Sequence, residues 1–164
     1  MQQPLTGDAH RQVVGRFATG VTVVTTQAGG HDHGMTANTF TSVSLEPLLV
    51  LVCVEDEARF HDAIVEAGSW GVSILAADQR ATAQWLATRG RPLHGQLDRV
   101  PHHRGPSTGV ALLDGALATL ECRTHQLVPA GDHTIVVGEV VGLDLADQAG
   151  DALTYFRSRF GTAH

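Results

Sequence analysis

The side chains best suited to bind a ligand are concentrated in residues 35–44. Six of these ten positions carry a hydroxyl or an amide, and none carries a charge: Thr36, Asn38, Thr39, Thr41, Ser42 and Ser44. Neutral donors and acceptors can hold the polar edge of an uncharged ring, and buried ones need hydrogen-bond partners. Two explanations stay open at this point: a turn whose hydroxyls pair with local backbone groups, or a ligand cradle.

An apolar strand follows this polar stretch directly. Residues 48–54 read Leu-Leu-Val-Leu-Val-Cys-Val, a composition typical of a strand that is buried on both faces. A polar segment that leads into such a strand would lie at the edge of a rigid sheet, which favours binding. We therefore expect the rest of the chain to be organised around these two segments.

A second candidate is Gly131-Asp132-His133, which lies between two predicted strands. Gly131 permits a tight turn, and a histidine at the start of a strand can hydrogen-bond to a bound nucleotide. The tripeptide alone is also consistent with a hairpin turn that carries a surface histidine.

Other chemistries are poorly supported. The ten histidines include His31-Asp32-His33 and His102-His103, but no His-x-x-x-His spacing supplies further ligands, so we expect no metal site. No Gly-x-Ser-x-Gly elbow indicates a serine hydrolase. No Gly-x-Gly-x-x-Gly opens a βαβ unit, so we expect no Rossmann fold.

Composition limits the class of protein. The 164 residues fit one domain, and 43% hydrophobic with 17% charged residues excludes a disordered chain. The net charge is −6 and the eleven basic residues, all Arg, are scattered, which counts against nucleic acid as a partner. The apolar runs are too short to cross a bilayer and no signal core is visible, so we expect a cytoplasmic protein without a membrane partner. Cys53 and Cys122 are expected to be buried free thiols.

The predicted elements are short helices and more numerous strands. We expect one helix capped by Asp8 and ending before Gly20, a second over residues 55–68 and a third capped by Asp78. Strands are predicted over residues 21–27, 48–54, 70–75, 116–128 and 133–145, with another starting at Gly34 and a bulge at Gly138. Residues 92–109 are interpreted as a long loop. The eighteen glycines supply the bends of a small antiparallel barrel flanked by helices.

Four blocks, in this order, resemble the flavin reductase family. They are residues 16–25 (Arg-Phe-Ala-Thr-Gly-Val-Thr-Val-Val-Thr), 34–47 (from Gly-Met-Thr-Ala-Asn to Leu-Glu-Pro), 131–133 and Tyr155-Phe156. The resemblance covers about residues 16–160 and implies a single domain, 1–164, with the antiparallel FMN-binding split β-barrel fold. The position of Gly131-Asp132-His133 after the second block favours the binding role for this tripeptide.

The resemblance also implies the binding residues. Flavin would be bound by Thr36, Ala37, Asn38, Thr39, Ser42, Val43, Ser44, Cys53, Val54, Glu55, Arg59, Phe60 and Trp85. The nicotinamide nucleotide would be bound by Gly131, Asp132, His133, Tyr155 and Phe156. In this set Arg59 and Phe60 lie near the flavin phosphate, and Trp85 borders the cofactor. Two positions depart from the family pattern: Ala58 replaces a common Ser near the phosphate, and Leu48 replaces a second Pro after Pro47.

The activity implied is that of an NAD(P)H-dependent flavin reductase. Hydride would pass from NADH or NADPH to FMN or FAD, without a catalytic residue, because the cofactors carry the reaction. Reduced flavin would serve a separate flavin-dependent monooxygenase, and family members are homodimers. The alternative from a different class is a non-enzymatic flavin- or haem-binding split-barrel protein, a carrier or sensor.

Overall fold

The computed structural model describes residues 1–148 and 150–164. The helices of this part are α1 (Gly7–Val14), α2 (Arg59–Ala67) and α3 (Arg80–Ala87), with a 3₁₀ turn at Ala77–Gln79. The strands are β1 (Thr19–Gly20), β2 (Thr22–Ala28), β3 (His31–Ala37), β4 (Thr41–Leu45), β5 (Leu48–Glu55), β6 (Ser69–Ile74), β7 (His102–Arg104), β8 (Ala111–Leu113), β9 (Ala118–Ala130), β10 (His133–Leu145), β11 (Ala152–Phe156) and β12 (Arg159–Ala163).

Seven strands form one antiparallel sheet in the order β3-β2-β6-β9-β10-β5-β4. Two tight hairpins lie in this sheet, β2-β3 at one end and β9-β10 near the centre. Gly29 and Gly30 form the first turn, and Gly131 begins the second. All three glycines have positive φ (61°, 78° and 64°), the conformation that such two-residue turns require. The predicted bulge is confirmed by the register shift between Val137 and Gly138.

A first core cluster lies between this sheet and α2. Phe60 and Ile64 of α2 pack with Trp70 of β6 and with valines from β2, β5, β6 and β10. Trp70 is fully buried, and it leaves room only for a hydrogen at Gly138, where an added Cβ would lie 2.4 Å from the indole. Burial of these side chains fixes α2 against the strands that precede and follow it.

A second core cluster lies on the other side of β2. Val21, Val23 and Leu75 pack there with Leu86 of α3 and Leu153 of β11. β1, β11 and β12 form a three-stranded sheet, and β7 and β8 pair with each other inside the segment interpreted from the sequence as a long loop. The prediction of a mainly antiparallel β fold with flanking helices is confirmed.

The burial of β5 differs from the prediction. Val50, Val52 and Val54 are buried, whereas the alternate residues from Leu49 to Cys53 are half-buried and Leu48 is exposed. Burial on both faces is instead found in β2, because one core cluster packs on each of its sides, and in the neighbouring β6, where residues 70–73 are all buried. The apolar run of residues 48–54 was therefore misread, since a sheet face at a molecular surface can remain apolar.

Two helix caps were also assigned wrongly. Thr6, not Asp8, caps α1, because its hydroxyl accepts a hydrogen bond from the Ala9 amide at 3.2 Å. α1 ends at Val14, well before Gly20, and has no buried residue. Asp78 lies in the 3₁₀ turn, and α3 begins two residues later at Arg80. In the described residues, no helix has both the length and the apolar composition needed to span a membrane.

Candidate functional site

A cavity of about 390 Å³ opens where β3, the end of β5, α2 and the segment after α3 meet. Its walls combine apolar side chains with cationic and polar groups. The lining residues are His33, Met35, Thr36, Glu55, Glu57, Ala58, Arg59, Phe60, Leu86, Ala87, Thr88, Arg89, Gly90, Arg91 and Gln96. A concave surface of this size with a few convergent polar groups is typical of a small-molecule site.

Three guanidinium groups, from Arg59, Arg89 and Arg91, line this one cavity. Arg91 donates to the carbonyl oxygens of Thr88 at 2.7 Å and of Gly34 at 2.8 Å, and its own carbonyl accepts from Arg59. Its Nε is buried and has no hydrogen-bond partner among the described atoms. Burial, and then the neighbouring charge of Arg59, lower the pKa of Arg91. A bound anion would relieve both effects, so the cluster fits a phosphate group.

The start of α2 supports the same interpretation. The N-cap position is Ala58, whose side chain gives no hydrogen bond to the first turn. The amide groups at a helix start carry partial positive charge and suit an anion. Arg59 is the first residue of this helix, so its guanidinium and the helix end act at the same place.

In the polar segment before β5, some hydroxyls pair with backbone groups and other polar side chains are exposed. Several hydroxyls pair with backbone: Thr36 donates to the Ala83 carbonyl at 2.7 Å, and the Thr39 hydroxyl accepts from the Cys53 amide at 3.0 Å. Ser44 accepts from the Glu46 amide at 3.2 Å. Asn38 and Ser42 are exposed, and the segment continues into β4, an edge strand of the sheet. Hydroxyls that are satisfied locally still hold the backbone of the edge in one conformation.

The Gly131-Asp132-His133 turn lies beside the end of β5. His133 pairs with Glu55 across the ladder, and the Asp56 amide donates to the Asp132 carbonyl at 2.9 Å. The His133 ring lies 2.7 Å from the Asp132 carboxylate, and this hydrogen bond lowers the pKa of Asp132. Because Glu55 also lines the cavity, the turn is a direct neighbour of the cavity wall.

The structure brings some predicted flavin residues together and separates others. Thr36, Glu55, Arg59 and Phe60 line the cavity. Asn38, Thr39, Ser42, Val43, Ser44 and Cys53 lie along the adjoining edge of the sheet, outside the cavity walls. The side chains of Ala37 and Val54 belong to the core cluster, so only their backbone groups remain available for a ligand.

Two aromatic predictions find no support within the single chain. Trp85 lines a separate cavity of about 420 Å³, and its indole NH donates to the Gln96 carbonyl at 3.0 Å. Tyr155 and Phe156 lie on β11 in the other sheet, where the ring of Tyr155 is 5.4 Å from that of Phe160. The expectations that Trp85 borders the flavin and that Tyr155 and Phe156 bind the nicotinamide nucleotide therefore stay predictions.

Sequence reasoning missed the residues that follow α3. Arg89 and Arg91 are thirty or more positions from Arg59, and only the packing of α3 on β3 brings the segment back to the start of α2. The Arg-Gly-Arg triplet was a visible signal, but nothing in its spacing indicated its neighbours. His61, the third residue of α2, was not named as a candidate residue either.

Comparison with known proteins identifies the family of this chain. The sequence matches the family described as "Flavin reductase like domain" over residues 14–164. An NADH-dependent FAD reductase of Streptomyces globisporus is 47% identical over 132 residues, which are 80% of this chain and 72% of that protein. The reductase component of 4-hydroxyphenylacetate 3-monooxygenase from Thermus thermophilus is 39% identical over 92% of each chain.

A solved structure gives the same result for the fold. The crystal structure of BorF, the flavin reductase component of a bacterial two-component tryptophan halogenase, superposes with a TM-score of 0.91. It is 46% identical, and the alignment covers 96% of this chain and 98% of BorF. The fold and these relatives thus define the class, a flavin reductase-like β protein. This chain belongs to the flavin reductase family, which confirms the resemblance found in its sequence.

The cysteines provide a test of where flavin binds. Burial raises the pKa of the half-buried Cys53 above its usual 9.0 and that of Cys122 to about 12. Because thiolate is the reactive form, Cys53 should react slowly with iodoacetamide at neutral pH and faster as the pH rises. Cys122 should react only after unfolding. FAD at saturation should slow the labelling of Cys53, as followed by mass spectrometry.

Cys53→Ser is the control that assigns the labelled site. A labelling rate of Cys53 that stays the same with and without FAD, in a sample that binds FAD, would show that flavin does not cover this strand end.

Proposed function

We propose that this protein is an NADH-dependent flavin reductase whose flavin site joins the cavity at α2 to the polar edge formed by residues 36–44. When both cofactors are bound, the nicotinamide supplies a hydride from C4 and flavin N5 accepts it. The protein itself binds, orients and shields the reactants. The observation that carries this proposal is the arginine-lined cavity, which opens between the polar edge and the Gly131-Asp132-His133 turn.

The donor set fits a flavin from one end to the other. Arg59, Arg91 and the start of α2 suit the phosphate, because guanidinium groups and the amides at a helix start both attract anions. The Nε of Arg91 is buried and has no described hydrogen-bond partner. The exposed side chains of Asn38 and Ser42 suit the polar edge of the ring system. The half-buried apolar face of β5 offers surface for the ring itself.

The enzymatic interpretation is preferred to a carrier or sensor because the named relatives are reductases. His133 is the residue that we assign to the nicotinamide, since it follows the turn beside the cavity wall. An imidazole there can donate to the amide or pyrophosphate of the nucleotide.

The first test measures the loss of NADH or NADPH absorbance with FMN, FAD or no added flavin. We expect flavin-dependent oxidation of NADH. His133→Ala should raise the Michaelis constant for NADH about tenfold, which is the effect of one lost hydrogen bond to a charged or polar group. The Michaelis constant for flavin should change little.

His125→Ala is a matched control, because His125 is an exposed histidine on β9. Flavin binding without oxidation of either nicotinamide would contradict the reductase proposal and favour a carrier.

A second test addresses the phosphate end of the site. Arg59→Met should weaken FMN and FAD about tenfold or more but leave riboflavin, which lacks the phosphate, nearly unchanged. The measurement is flavin binding by fluorescence quenching for each ligand. Arg11→Met on the exposed helix α1 removes the same charge at a distance and should leave all three ligands unchanged. Equal weakening of riboflavin and FMN by Arg59→Met would refute this assignment.

The partners follow from the same proposal. Reduced flavin would be consumed by a separate flavin-dependent monooxygenase, since the Thermus thermophilus relative is the reductase component of a monooxygenase. We place the protein in the cytoplasm, where nicotinamide and flavin are available, and expect a homodimer. The edge strand β4 supports the dimer, because Val43, Leu45 and the adjoining Leu48 are 48%, 82% and 43% exposed. An exposed apolar edge of this kind is usually covered by another chain.

The dimer can be tested by sedimentation. The wild-type protein should sediment at twice the 17.4 kDa mass of the chain, and Leu45→Glu should shift it toward the monomer. Leu5→Glu, at a fully exposed leucine before α1, is the control of the same charge and should leave the dimer intact. A dimer that withstands Leu45→Glu would place the interface elsewhere.

A further inference from the structure

A partly buried polar network lies next to the Gly131-Asp132-His133 turn. The hydroxyl of Thr134 donates to a carboxylate oxygen of Asp56 at 2.7 Å. The Nε2 of His61 lies 2.9 Å from the same hydroxyl and 3.5 Å from the same carboxylate oxygen. Thr134 is 8% exposed, whereas the side chains of His61 and Asp56 are 20% and 43% exposed, so the network extends from the protein interior to its surface.

The hydrogen atoms of this network can be assigned. A hydroxyl has one hydrogen, and Thr134 gives it to Asp56, which as a carboxylate can only accept. The contact with His61 therefore has Nε2–H as the donor and the Thr134 oxygen as the acceptor. The Thr134 hydroxyl thus bridges Asp56 and His61, while the Nδ1 of His61 lies 3.4 Å from a carboxylate oxygen of Asp62. A hydroxyl that donates to one group and accepts from another restricts the relative positions of both.

The network joins three elements that each belong to the proposed site. His61 is two residues after Arg59 on α2, Asp56 follows Glu55 at the end of β5, and Thr134 follows His133 on β10. The backbone of Asp56 also donates to the Asp132 carbonyl, so the turn is tied to this segment from two sides. Since side chains alternate along a strand, Thr134 points inward where His133 points outward.

We propose that Thr134 and His61 are positioning residues, which hold the Gly131-Asp132-His133 turn at a set distance from the phosphate-binding start of α2. This inference rests on the proposed role of the turn in nicotinamide binding. Neither residue takes part in the hydride transfer. Both act by fixing where His133 stands, so that the turn is already ordered when the nicotinamide nucleotide binds.

The consequence is a specific kinetic pattern. Without the Thr134 hydroxyl, the turn keeps its backbone ties but loses its side-chain anchor to Asp56 and to α2. Nicotinamide binding should then weaken, because part of the binding energy is spent on ordering the turn. Flavin binding and turnover at saturation should be kept, since the groups that touch flavin are unchanged.

The experiment compares steady-state constants for Thr134→Val, Thr134→Ser and His61→Ala with those of the wild-type protein. Thr134→Val keeps the shape and removes the donor, and it should raise the Michaelis constant for NADH about tenfold. His61→Ala should act in the same direction, and Thr134→Ser should restore nearly wild-type values. In all three, kcat and the Michaelis constant for flavin should stay within about twofold of the wild-type values.

The matched control is Thr26→Val. Thr26 is also buried, and its hydroxyl donates one hydrogen bond, to the Ser69 carbonyl at 2.7 Å, at the far end of β2. This variant should lose comparable thermal stability without a change in the NADH constant. The comparison separates a general loss of stability from a displaced turn.

The outcomes separate this inference from the proposed function beneath it. If His133→Ala raises the NADH constant and neither Thr134→Val nor His61→Ala does, the turn binds nicotinamide without help from the network, and the inference is wrong. Equal losses in kcat and in flavin binding in Thr134→Val and His61→Ala would also overturn it. If His133→Ala has no effect on NADH, the assignment of the turn itself fails. Should Thr134→Val not fold, His61→Ala on the helix surface decides the question.

Discussion

The antiparallel pairing of β5 with β10 is the constraint on which the site depends. Its register sets Glu55 opposite His133, and it therefore fixes the turn beside the cavity wall. In the chain, β5 follows the polar edge of the sheet and is itself followed by the start of α2. Displacement of this ladder by one residue would reverse the face of every side chain and separate these groups.

The helix α2 makes this arrangement rigid. Phe60 and Ile64 anchor it in the core cluster beneath the sheet, while Arg59 at its first position faces the cavity. The apolar face of this short helix thus packs in the core, and its charged start is available for the anion binding proposed above. Since Trp70 and Gly138 interlock below it, the sheet has little freedom to move relative to the helix.

Electrostatics at the cavity reflect the same packing. Three arginines are brought close together, and burial, followed by the charge of Arg59, lowers the pKa of Arg91. Glu55 offsets part of this charge through its contact with Arg89 at 3.3 Å, although that pair is exposed and weak. A positive cluster of this kind would be stabilised by an anion such as the phosphate of the proposed flavin.

The amino-acid sequence by itself determined the fold class and the segments of the site. Period-two alternation, paired turn glycines and the block at residues 34–47 were sufficient for six of the seven strands of the large sheet, their two tight hairpins and the family, because these signals are local. They did not predict β4, or the pair β7 and β8. It did not reveal which strand is buried on both faces, since an apolar run looks the same whether its second face meets core or surface, as β5 and β2 show. Only the tertiary structure joined Arg91 to Arg59 and His61 to Thr134. These contacts span 32 and 73 residues, and side chains so distant in sequence meet only after the sheet and its helices have packed.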